Sequence, residues 1–120
     1  MEEKRNFPRV RGDLEWLFVV QVTSENTSVI TETKDISCSG IRCCVDDFFP
    51  KNQEVEVVLL LPLTEKGLIF EKVKCRATTV RCMAVRKEKK EFYETAFSFI
   101  DLKEEDSKKI DQYVMHTQEI

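Results

Sequence analysis

Glu71-Lys72-Val73-Lys74-Cys75-Arg76-Ala77-Thr78-Thr79-Val80-Arg81-Cys82-Met83-Ala84-Val85-Arg86 reads as one long strand whose apolar phase changes partway. Val73, Cys75 and Ala77 lie on odd positions, whereas Val80, Cys82 and Ala84 lie on even ones. Strand side chains alternate faces, so this slip would cost the strand its buried face unless one extra residue is absorbed. The pattern predicts a β-bulge near Thr78-Thr79. Bulges sharpen strand twist and help a sheet curl toward a barrel.

The flanking segments agree with a small all-antiparallel sheet. Upstream, Glu54 to Leu61 places Val55, Val57, Leu59 and Leu61 on one face, and Pro62 to Gly67 breaks the strand. Downstream, Lys87 to Lys90 is a turn, and Phe92 to Ile100 is the last strand, with Tyr93, Phe97 and Phe99 sharing a face. Leu14 to Thr23 and Ser28 to Lys34 are strands joined at Glu25-Asn26-Thr27. A third begins at Ser39 or Gly40 and ends at Asp46-Asp47, followed by a loop to Asn52 that contains Pro50. Asp101 and Glu104 have the spacing of a helix N-cap and its capping-box partner. Ile110, Tyr113 and Val114 then recur at helical spacing. Residues 1–13 carry charge, Pro8 and Gly12 without periodicity. The expected architecture is mainly β: a six-stranded antiparallel split barrel over 14–100, a C-terminal helix over 101–120 and a flexible arm over 1–13, in a single domain over 1–120.

Length and composition narrow the class. A chain of 120 residues with 42% hydrophobic and 34% charged content holds one core and no second domain. The net charge of −3 argues against a general nucleic-acid binder. The charge is nonetheless uneven, since Lys4 to Arg11 holds four cations and no acid. The N-terminus has no signal-peptide pattern, and the longest apolar run, Val57 to Leu63, is too short to span a bilayer. Five cysteines (Cys38, Cys43, Cys44, Cys75, Cys82) are an odd set without scaffold spacing, as expected for reduced thiols in a cytoplasmic protein. With no C-x-x-C and a lone His116, no metal site is expected. Asp46-Asp47 lacks a histidine partner or a phosphate-binding glycine loop, and no enzyme activity is expected.

Two short motifs carry the functional reading. Arg5-Asn6-Phe7-Pro8-Arg9 puts two guanidiniums on the arm, and Asp35-Ile36-Ser37-Cys38-Ser39-Gly40 puts a carboxylate, a hydroxyl and a glycine at a strand entrance. Guanidinium forks suit phosphates and the N7/O6 edge of guanine, while a carboxylate accepts from guanine N–H groups. Either motif alone reads as ordinary chemistry, a solvated basic arm or an Asx-type turn. Together they read as a receptor for an anionic, guanine-bearing ligand.

An N-terminal RxxxR, a gap of this length, then D/N-x-S-x-x-G within a six-stranded barrel resembles the signature of PilZ domains, bacterial receptors for the second messenger cyclic di-GMP. Tyr93 to Leu102 is similar to that family's last strand, and the closing helix has its counterpart. The resemblance implies that Arg5 and Arg9 clamp phosphate and guanine edges. It further implies that Asp35 and Ser37 hydrogen-bond guanine and that Gly40 lets backbone and ligand approach closely. Lys4 and Arg11 flank the clamp as accessory cations. Where the family's last strand often has glycine, this chain has Thr95-Ala96, which implies a narrower ligand face. The implied protein is a nucleotide-binding signal-transduction module with no cofactor beyond its ligand. It would act through an effector protein. Two other classes compete: a ligand-independent PilZ-like interaction module, which normally goes with missing motif residues, and a small barrel for single-stranded nucleic acid, which the acidic composition disfavours.

Overall fold

The computed structural model describes residues 18–33, 35–62 and 70–118. Among the described residues seven strands precede one helix: β1 (Phe18–Thr23), β2 (Ser28–Thr33), β3 (Ile36–Ser37), β4 (Gly40–Val45), β5 (Glu54–Pro62), β6 (Phe70–Lys87), β7 (Lys90–Phe99) and α1 (Glu104–Gln118). They form one antiparallel sheet in the order β2-β1-β5-β6-β7-β4-β3. The sheet curls until β2 lies beside β4. Two threonine hydroxyls span that seam, Thr31 Oγ1 donating to the Cys44 carbonyl at 3.1 Å and Thr33 Oγ1 to the Arg42 carbonyl at 2.9 Å. The mainly-β fold with its closing helix matches expectation. The strand count does not, because β3 makes seven rather than six. A two-residue strand is too short to show periodicity, and its pairing with β4 depends on how the chain folds back.

The bulge lies where the phase change puts it. Thr79 pairs with Phe97 but Arg81 pairs with Ala96, so Val80 is the extra residue. Before it, Val73, Ala77 and Thr79 are fully buried. The expectation for Val80 itself is corrected, because it is 48% exposed and Cys82 is the residue that resumes the inner face. At Thr79 the chain also changes partners. Asn52 N donates to the Thr79 carbonyl at 2.8 Å and Thr79 N to the Gln53 carbonyl at 2.9 Å, and there the β5 side of the ladder ends. Beyond this point β6 pairs with β7 alone. Their hairpin closes on Glu88 and Lys89, both at positive φ (52° and 69°), as two-residue turns matched to strand twist require.

The core is formed by inward-facing alternate residues: Phe18, Val20 and Val22 on β1, Val55, Val57, Leu59 and Leu61 on β5, and Phe97 on β7. Each large side chain so buried contributes about 1.5–3 kcal/mol. Phe49, fully buried from the loop after β4, meets Phe97 edge-on with centroids 5.5 Å apart. The helix stripe is as expected. Ile110 and Tyr113 are buried, Val114 packs beside them, and Tyr113 meets Phe18 edge-on at 5.3 Å.

Two boundary expectations are corrected. β5 runs through Pro62, which pairs with Phe70 at the strand's last position instead of ending it a residue earlier. Asp101 is not the N-cap. Helix α1 starts at Glu104, and the bond from Ser107 N to the Lys103 carbonyl (2.8 Å) makes Lys103 the cap. Asp101 instead accepts from Arg76 twice, from the backbone N–H and from Nε, each at 3.0 Å.

Candidate functional site

The Asp35–Gly40 motif is a hairpin. Ser37 pairs with Gly40 and Ile36 with Ile41, leaving Cys38-Ser39 as a two-residue turn. Ser37 Oγ accepts the Ser39 N–H at 3.2 Å and lies 2.8 Å from Ser39 Oγ, so it braces the turn from inside the loop. Gly40 faces Ser98 of β7. A Cβ at Gly40 would overlap the Phe97 carbonyl oxygen and come within 3.2 Å of Ser98 Cα, so only glycine lets β4 lie this close to β7. The close approach at Gly40 is thus to a neighbouring strand.

Asp35, immediately before β3, is held at three points. Its N–H donates to Thr33 Oγ1 at 3.1 Å, its carbonyl accepts the Arg42 N–H at 3.0 Å, and its Oδ2 accepts from Arg42 Nε at 2.8 Å. Both side chains of this ion pair are about half exposed (57% and 55%). The pair contributes roughly 0–1 kcal/mol to stability, so its main effect is orientation.

Asp35, Ser37 and Gly40 line one open cleft of about 530 Å³, with Arg42, Arg81 and Ala96 also on its wall. That volume lies within the usual range for small-molecule sites. Ala96 pairs with Arg42 on one side and Arg81 on the other, which sets a methyl group between two guanidinium-bearing positions. Ala96 is therefore on the cleft wall. Thr95 next to it is fully buried, with Oγ1 3.3 Å from Cys82 Sγ. The sequence reading did not single out Arg42 or Arg81. The predicted bulge was the available signal for Arg81, since a bulge turns two successive side chains to the same face. Arg5, Arg9, Lys4 and Arg11, expected to complete the site, lie outside the described residues.

The hairpin turn also touches the helix. Cys38 Sγ is 2.9 Å from Asp111 Oδ1, and Ser107 Oγ donates to the same sulfur at 3.3 Å. The hydrogen bond to Asp111 pushes the Cys38 thiol above its ordinary pKa. All five cysteines are free. Among the described residues, no three His, Cys, Asp or Glu side chains are grouped to hold a metal ion. Among the same residues, no helix is long and apolar enough to cross a membrane.

The PilZ domain model matches residues 3–116. Among solved structures, the fold is similar to the Bacillus subtilis inhibitor of motility (MotI/DgrA), with a TM-score of 0.71 and 19% identity over 87% of this chain and 48% of that one. It is also similar to K. pneumonia MrkH in its apo state, with a TM-score of 0.68 and 18% identity over 98% of this chain and 54% of that one. The chain thus spans about half the length of these structures. No curated protein matches it by sequence.

Proposed function

The chain belongs to the PilZ domain family, and on that premise we propose that it is a cyclic di-GMP receptor that relays ligand binding to an effector protein in the bacterial cytoplasm. The observation that carries this reading is the convergence of Asp35, Ser37 and Gly40 on one cleft beside two arginines, in a chain that is acidic overall. Arg5 and Arg9 are assigned to phosphate and guanine edges from the arm side, with Lys4 and Arg11 as accessory cations. Asp35 accepts guanine N–H groups from the strand side. A hydrogen bond to a charged group contributes about 1.5–3 kcal/mol. A few of them account for much of the roughly 8 kcal/mol of a micromolar complex.

The relay has a physical route in the contact between hairpin and helix. Ligand seated on Asp35 and Ser37 bears on the Cys38-Ser39 turn, and Cys38 meets Ser107 and Asp111 of α1. A change in the hairpin is thereby passed to the helix surface, where an effector reads it. Calorimetric titration with cyclic di-GMP, with GTP and single-stranded RNA as controls, tests the reading. Saturable binding of cyclic di-GMP alone supports it. Binding of RNA in its place, or of none of the three, overturns it.

A further inference from the structure

The β-bulge singles out one arginine. In a regular β6 the residue after inward-facing Thr79 would point outward and the next inward. The extra residue Val80 lets Val80 and Arg81 both stand exposed, and both line the cleft. Arg81 thus faces the cleft only because the register slips before it. Among the described residues no carboxylate lies within 4.0 Å of Arg81, whereas Arg42, Arg76, Arg86 and Lys109 each hold an acid. Its guanidinium, on the wall of a site, has no neutralising acid among the described residues.

Arg42 stands on the other side of Ala96. Two strand spacings of about 4.8 Å set the Arg42 and Arg81 backbones roughly 10 Å apart, within reach of one small anion held between their side chains. Arg42 uses Nε on Asp35, and its terminal N–H groups are further donors on the same fork. The methyl of Ala96 leaves the space between them open, and a larger side chain there would fill it. Among the described residues, the charged side chains of the cleft wall are Asp35, Arg42 and Arg81, two cations to one acid in a protein of net charge −3.

We propose that Arg81, set into the cleft by the bulge at Val80, is a phosphate-binding residue that grips one phosphodiester of the ligand together with Arg42, from the rigid strand side. This rests on the receptor reading above and adds a strand-borne clamp to it. Rigid strands place the two forks before the ligand arrives, so these contacts need no ordering of a flexible segment.

The test is titration of cyclic di-GMP into wild type, Arg81→Ala, Arg81→Lys and Asp35→Ala at low and high salt. Arg81→Ala is expected to weaken binding roughly tenfold and to make the remaining affinity less sensitive to salt. Arg81→Lys is expected to restore the salt sensitivity but only part of the affinity, since an ammonium keeps the charge and loses the fork. Circular dichroism and melting temperature of the exposed-site variants should match wild type. Wild-type affinity in Arg81→Ala, with binding lost in Asp35→Ala, overturns the clamp and leaves the receptor reading standing. A wild-type protein that ignores cyclic di-GMP overturns both.

Discussion

Arg42 Nε donates to Asp35 Oδ2 at 2.8 Å, which fixes the carboxylate ahead of β3 against the middle of β4. Because the pair is half exposed, Asp35→Ala should change unfolding free energy by less than about 1 kcal/mol. It should nonetheless weaken cyclic di-GMP binding more than tenfold, since it removes the proposed guanine acceptor and frees Arg42. Urea denaturation and calorimetry on the same preparation measure both quantities. Large destabilisation with intact binding would assign Asp35 to the fold rather than to the ligand.

Arg9→Ala should weaken cyclic di-GMP binding at least tenfold, or about 1.4 kcal/mol. Its melting temperature without ligand should be unchanged if the proposed partner of Arg9 is the ligand. Unchanged affinity would remove the arm from the site.

Gly40→Ala acts through β7. The new methyl collides with the Phe97 carbonyl, a backbone atom that cannot rotate away. Overpacking of this kind costs about 1–3 kcal/mol or more. Denaturant unfolding should show a loss of that size, with hydrogen exchange faster along the β4–β7 ladder. A variant as stable as wild type would mean that the two strands can part without cost.

Asp101 links β6 to the approach of α1, and the N–H and guanidinium of Arg76 hold its carboxyl below the ordinary value of 3.8. A carboxyl depressed in the folded state stabilises above its unfolded pKa, and the contribution is lost as pH falls through the folded value. Melting curves of wild type and Asp101→Asn should therefore differ at pH 6, and the difference should begin to shrink only as pH falls below about 4. A constant difference across that range would assign the effect to something other than the charge.

The thiols divide by position. Burial pushes Cys43 up to about 12 and Cys75 up to about 11, so both stay protonated at pH 8. Cys38 and Cys44 are exposed, though both are raised, Cys38 by its bond to Asp111 and Cys44 by partial burial. Iodoacetamide at pH 8 should label Cys38 and Cys44 slowly and spare Cys43 and Cys75 until denaturant is added. Peptide mass spectrometry reads the outcome, and early labelling of Cys43 would contradict the core assignment.

Much of this was legible in the chain because alternation is local. The odd-to-even change in Val73–Ala84 announced the bulge, the run Val55–Leu61 announced an inward face, and Ile110-Tyr113-Val114 announced the helix stripe. Each depends only on which side of its own backbone a residue stands. The Asp35-Ser37-Gly40 motif was readable for the same reason, as a short stretch of turn-forming chemistry. Tertiary structure alone decided who stands opposite whom. It made β3 a strand by folding it onto Gly40 and Ile41, and it drew Asp101 from the helix cap to Arg76. It explained Gly40 by a carbonyl far away in sequence, and it aligned Arg42, Ala96 and Arg81 on three strands. The face of a residue is set by the dihedrals of its own segment. Its neighbours across a curled sheet are set by register and closure, and no single segment contains them.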